Sequence, residues 1–278
     1  MVPGDRFDVA AYVRQPMGPM RAELAGVGAA MPAELAEALH YVQRRAQNTA
    51  SWLSHVLVTA THKDARITAF LSTWAYERHW LGDAVGALAG GDGGTAPTRR
   101  GLARRIARRF GPLGEAVVSN LHGRALTGVQ MAERLVDGWI VEAMLERAQT
   151  LAPAAVAQDL QRVRDAIARQ GRFFAESATE ALGQSRWARV LARRRLGRRA
   201  WPIGADHEPR VQTASALTTL FGADRDWAAA IDRRVDALPG LAGLGLVART
   251  ARHPGRRGFR TLSAAARAPR PDGKERRR

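Results

Sequence analysis

Apolar residues recur along this chain mainly at intervals of three and four, the spacing that keeps one face of an α-helix apolar. From Pro32, whose missing N–H is not needed at a first helical position, the stripe reads Leu35, Leu39, Val42, Ala46, Thr49, Leu53 and Val56. Residues 59–63 interrupt it. Asp64 can cap a second helix, with the stripe Ile67, Leu71, Trp74, Arg78, Leu81, Val85 and Leu88. The glycine-rich run 90–94 and then Pro97 end it in a loop. A short basic helix is expected over 99–109. Pro112 opens a third helical region, which Gly123 and Gly128 are expected to break; its later part aligns Met131, Leu135, Gly138, Glu142 and Leu145. Pro153 starts a fourth helix carrying Leu160, Val163, Ile167, Gly171, Phe174, Ala178 and Leu182.

After residue 183 the character changes. Residues 185–199 read as a short, very basic helix, 201–204 as a turn, and 211–221, 224–238 and 241–250 as short helices. The predicted organisation is an N-terminal arm (1–31), a four-helix bundle (32–183), a helical appendage packed on it (184–252) and a basic tail (253–278) too rich in Pro, Gly and Arg to fold. The fold class is all-α.

Composition sharpens this in a few places. Apolar residues make up 46% of the 278, enough for a substantial core, and the abundance of Ala, Leu and Arg favours helix. With no cysteine, disulfides and thiolate metal sites are excluded. No apolar run is long enough to span a membrane. The first residues, with Asp5, Arg6, Asp8 and Arg14, lack an apolar signal core, so the expected location is cytoplasmic. The net charge is +17, and residues 249–278 alone hold eleven Arg/Lys against two acids. Lys occurs only at 63 and 274, and no nucleic-acid-binding motif accompanies the arginines. The run 90–94 is followed by no Lys-Ser/Thr and preceded by no strand, which excludes a phosphate-binding loop. Trp187, Trp201 and Trp227 are surplus to the bundle and could seal the appendage or a homodimer contact.

Several segments resemble an actinobacterial branch of the ferritin-like superfamily. They are Val58-Thr59-Ala60-Thr61-His62-Lys63-Asp64, Thr68-Ala69-Phe70-Leu71-Ser72-Thr73-Trp74-Ala75-Tyr76-Glu77, Ile167-Ala168-Arg169-Gln170, Leu220-Phe221-Gly222, and the run from Ile231-Asp232-Arg233-Arg234 through Val235-Asp236-Ala237-Leu238 to Pro239-Gly240-Leu241. The resemblance implies a ferritin-like four-helix bundle. Di-iron bundles place one Glu on each of two helices and a Glu-x-x-His on each of the other two. The family pattern implies ligands at 46, 78, 81, 138, 171 and 174. This chain has Ala46, Arg78, Leu81, Gly138, Gly171 and Phe174 there, and none of these side chains is an ordinary iron ligand. A register shifted by one residue would turn Glu77 inward in place of Arg78. The only literal Glu-x-x-His, Glu37 and His40, lies near the start of the first helix, away from the expected centre. His55 and His62 flank a loop and read as structural, and His79 sits beside Trp80.

The expectation is therefore a centre without metal or other cofactor. Trp74, Leu81, Phe174 and Trp139 are candidates to refill it, with Ala46, Gly138 and Gly171 leaving space. An inward Arg78 needs a counter-charge. Glu142 is the expected partner, with Glu77 and Asp137 as nearby alternatives. Such a pair beside open space suits a small-molecule site, in which Glu142 acts as general base and Arg78 holds an anionic or carbonyl group. Three functions follow. The first is small-molecule binding at the vacated centre, extending to a cofactor-independent cyclase, isomerase or lyase. The second is a non-catalytic interaction protein using its Arg-rich surfaces. The third is a di-iron oxygenase or oxidase drawing on Glu37, His40, Glu77, His79, Glu142 and Glu176.

Overall fold

The computed structural model describes residues 6–27, 29–47, 52–53, 56, 64–91, 124–199, 201–203 and 210–252. Among them every regular element is helical and no strand occurs. The expectations for 99–109, for 112–123 and for the tail from 253 lie outside the described residues, as do those for His55 and His62.

The four long helices are α2 (Ala33–Gln47), α3 (Ala65–Leu88), α4 (Arg124–Leu151) and α5 (Ala154–Gln184). Asp64 caps α3 by accepting from Ile67 N at 3.0 Å. The helix gives way at Gly90, whose φ of 80° favours a residue without a Cβ. Pro153 sets the two-residue break between α4 and α5, which form a helical hairpin with the most extensive contact in the protein. Gly128 does not interrupt α4. A Cβ there would sit 2.8 Å from the Cβ of Ala181, so the glycine lets α4 and α5 approach closely inside a continuous helix. The other strong pair is α2 with α3, and α3·α5 and α2·α4 contacts join the two pairs.

Residues 6–27 are more ordered than an arm. Asp8 caps a short helix, α1 (Val9–Arg14), through Ala11 N at 2.9 Å, and a 3₁₀ turn follows at Arg21–Glu23. Both lie against α3. Beyond the four long helices, α6 (Arg186–Arg198) is capped by Ser185 and packs its small face, Ala188, Ala192 and Leu196, against the bundle, mainly on α4. Helix α7 (Arg210–Phe221) packs on α2 and α4. Helix α8 (Asp226–Asp236) touches α4 and holds α9 (Leu246–Arg252), whose N-terminal amides Val247 N and Ala248 N both bond the Asp232 carboxylate at 2.9 Å. Helix α4 thus meets neighbours on all sides, and nearly every residue from 125 to 141 is buried. Of the spare tryptophans, Trp201 is buried, Trp227 stacks on Phe221 at 4.1 Å, and Trp187 is 70% exposed. None of the described helices is long and apolar enough to cross a membrane.

Candidate functional site

Two neighbouring residues on α3, Glu77 and Arg78, are both buried, and they serve different clusters. Consecutive helical residues point about 100° apart, so each reaches a different set of helices.

Glu77 is 0% exposed and fully engaged. It accepts from the Tyr12 hydroxyl, from Met17 N at 2.8 Å, from Arg169 Nη2 at 2.6 Å and from Gln170 Nε2 at 2.8 Å. Burial, followed by the Glu77 charge and hydrogen bond, pushes the Tyr12 phenol far above its ordinary value, so the hydroxyl stays protonated and donates. Arg169 also lies over the Tyr12 ring at 5.1 Å. Farther along the same helices, Glu176 accepts from Arg66 at 2.8 Å and from Phe7 N at 2.7 Å. These two carboxylates fasten the N-terminal segment to α3 and α5. With four donors on it, Glu77 has no lone pair left for a substrate.

Arg78 enters the other cluster. The centre formed by α2, α3 and α4 buries Arg45, Arg78 and Arg134 around the carboxylate of Asp137, with the buried Glu133 also close enough to act on Arg134. Asp137 accepts from Arg45 Nη2 at 3.0 Å, from Ile203 N at 2.8 Å and, more loosely, from Arg134 Nη1 at 3.4 Å. Arg78, 4% exposed, makes no hydrogen bond or ion pair with another described residue, and its Nε is buried without a partner. Burial lowers its pKa from the ordinary guanidinium value; the Asp137 charge opposes this and the nearby Arg45 charge adds to it. Arg134 is lowered for the same leading reason, burial, again opposed chiefly by Asp137. Its guanidinium lies 4.2 Å from the ring centre of Trp52 and 5.8 Å from that of Trp74. Trp74 packs edge-on against Trp52 at 5.4 Å and against Phe174 at 5.3 Å, so the charge cluster runs into an aromatic wall.

The six positions at which the family pattern implies ligands sit as follows. Ala46, Arg78, Leu81 and Phe174 are buried. Gly138 and Gly171 are half-buried, and a Cβ at either would meet no atom within 4 Å. Glu142 does not meet Arg78. It faces α8, where Arg234 Nη1 lies 3.6 Å from its Oε2. Trp139 is likewise turned outward from the centre and lies under the Arg234 guanidinium at 4.3 Å. The physical reason is that α4 is covered on nearly every side over residues 125–141, so its apolar stripe does not mark one inward face there. Arg134 and Asp137, one turn apart, face α2 and α3, whereas Trp139 and Glu142 face α8.

Sequence reasoning missed Tyr12, Arg45, Arg134, Arg169 and Gln170. The available signals were local. Tyr12 follows a capped Val9 at helical spacing, and Arg134 precedes Asp137 by three residues on a helix with little exposed surface. Of the residues weighed for a di-iron centre, Glu37 is exposed, His40 contacts Gln43 Oε1 at 3.0 Å, His79 is exposed beside Trp80, and Glu77, Glu142 and Glu176 belong to three separate contacts. Among the described residues no group of three or more His, Asp or Glu is arranged to hold a metal ion. Comparison with protein families, with curated proteins and with solved structures yields no match to this chain.

Proposed function

We propose that this protein is a ferritin-like four-helix bundle that works without a metal and binds a small molecule at its centre. The observation that carries the reading is Arg78: a buried guanidinium on the inward stripe of α3, with no bonding partner among the described residues. A charge held in this way costs several kcal/mol unless something pairs it, and a ligand is a pairing group that the described residues do not supply. The half-buried glycines Gly138 and Gly171 leave room at two of the positions a metal-binding relative would fill with donors.

Binding fits better than catalysis. Glu142, the base that a cyclase, isomerase or lyase would have used, is paired with Arg234 on the α8 side. Asp137 already accepts from Arg45, Arg134 and Ile203 N, which leaves it engaged. The test is native mass spectrometry with elemental analysis on full-length protein purified without chelator. A small organic adduct with far less than one metal per chain is the expected result. Two iron or manganese ions per chain would replace this reading with an oxygenase or oxidase.

A second reading has its own observation. On the outer face of α6, the exposed Trp187 and Val190 stand among Arg186, Arg194 and Arg198, all exposed, with no acid in the helix. That face suits contact with an anionic surface. Reduced co-sedimentation of Trp187→Ser with phosphatidylserine vesicles would support it, and equal retention of variant and wild type would remove it.

A further inference from the structure

We infer that the ligand of the bundle centre is an organic carboxylate with an apolar, ring-sized body, its carboxylate received by Arg78 and its body lying toward Trp74, Trp52 and Phe174. This rests on the reading that the centre holds a small molecule, and it adds the chemical class.

The argument begins with charge. Arg45, Arg78 and Arg134 are each less than a tenth exposed, and the carboxylate bonded within the group is Asp137. The other buried acids are committed. Glu77 holds Arg169, Gln170, Met17 N and Tyr12. Glu133 lies near enough to influence Arg134, and its Oε1 is held by Arg195 and Arg199, both at 2.9 Å, while its buried Oε2 has no bonding partner and bonds none of the three central arginines. The Tyr12 phenol near Arg78 stays neutral and offers no negative charge. The positive excess thus rests on Arg78, with Arg45 repelling it from one side. The Nε atoms of all three arginines are buried without partners.

Geometry then narrows the anion. A guanidinium presents parallel N–H donors that match the two oxygens of a carboxylate. A free phosphate brings more oxygens and more charge, whereas the walls next to Arg134 are the rings of Trp52 and Trp74, which present largely apolar surface. Those rings give an apolar body something to pack on. Trp52, Trp74 and Phe174 form a run of edge-to-face contacts at 5.3–5.4 Å that begins at the Arg134 guanidinium, and Trp74 lies one helical turn before Arg78 on the same face of α3. An amphipathic ligand would satisfy both halves at once, in the manner of a pocket with a few placed polar groups and apolar walls.

The experiment uses the full chain with three probes: benzoate, its neutral isostere benzamide, and inorganic phosphate. Binding is read by titration calorimetry and by the rise in Tm. Benzoate is expected to bind wild type saturably and at least tenfold tighter than benzamide, with phosphate weaker than benzoate. In Arg78→Met the benzoate preference is expected to vanish or reverse, and in Arg78→Lys it is expected to fall between the two. If benzamide binds wild type as well as benzoate, the centre is a small-molecule site but the carboxylate assignment is wrong. If phosphate matches benzoate, the apolar body is wrong. If no probe binds and Arg78→Met leaves Tm unchanged, both the ligand class and the small-molecule reading fall.

Discussion

Glu77 and Arg78 are adjacent on one helix and both buried, yet they live in opposite circumstances. The carboxylate is bonded by four donors drawn from α1, the segment after it and α5. The guanidinium has none among the described residues, and the Arg45 charge nearby opposes it. A satisfied buried charge holds structure together, whereas an unsatisfied one persists only if something outside the fold repays it. The first region therefore reads as a fastening and the second as a receptor.

Mutations can break or sharpen that contrast. The largest effect is expected at the fastening. Glu77→Ala strips the shared acceptor from Tyr12, Met17 N, Arg169 and Gln170, and should cost about 3–5 kcal/mol in urea unfolding. At the receptor, Asp137→Asn removes the carboxylate bonded to Arg45 and Arg134 and should cost about 3 kcal/mol or more. Adding Arg78→Met to Asp137→Asn should recover part of that loss, a coupling that a double-mutant cycle reads directly. Tyr12→Phe keeps the ring and deletes one hydrogen bond to a charged acceptor, so a loss of about 1.5–3 kcal/mol is expected. The smallest change belongs to Trp187→Ser, an exposed site whose unfolding free energy should move by no more than about 0.5 kcal/mol, whatever happens to surface binding.

The helices were legible in the sequence because their signals are local. Asp64 before Ile67, Pro153 after Leu151 and Ser185 before the basic run each mark an end where the structure places one. The interior was legible only where a helix has one buried face. The α3 stripe correctly turns Ile67, Leu71, Trp74, Arg78, Leu81, Val85 and Leu88 inward. On α4 the same reading paired Arg78 with Glu142, since a helix surrounded by α2, α5, α6, α7 and α8 offers no polar face to set its rotation. Asp137, weighed as an alternative, is the carboxylate that Arg78 senses. Gly128 misled for a related reason. Its function is the approach of Ala181, a tertiary fact that no local spacing records. The ordered segment before α2 was missed because its one short helix depends on Glu77 and Glu176, residues more than fifty positions away.

The central claim is that Arg78 is a buried charge that none of the described residues pairs. The unfolding free energy of Arg78→Met against wild type, in low-salt buffer without added ligand, tests it most directly. Removing an uncompensated charge while keeping an apolar stem should make the variant more stable, by about 1–4 kcal/mol. A variant destabilised by several kcal/mol would mean that Arg78 is already paired within the protein, and the receptor would then be a second fastening.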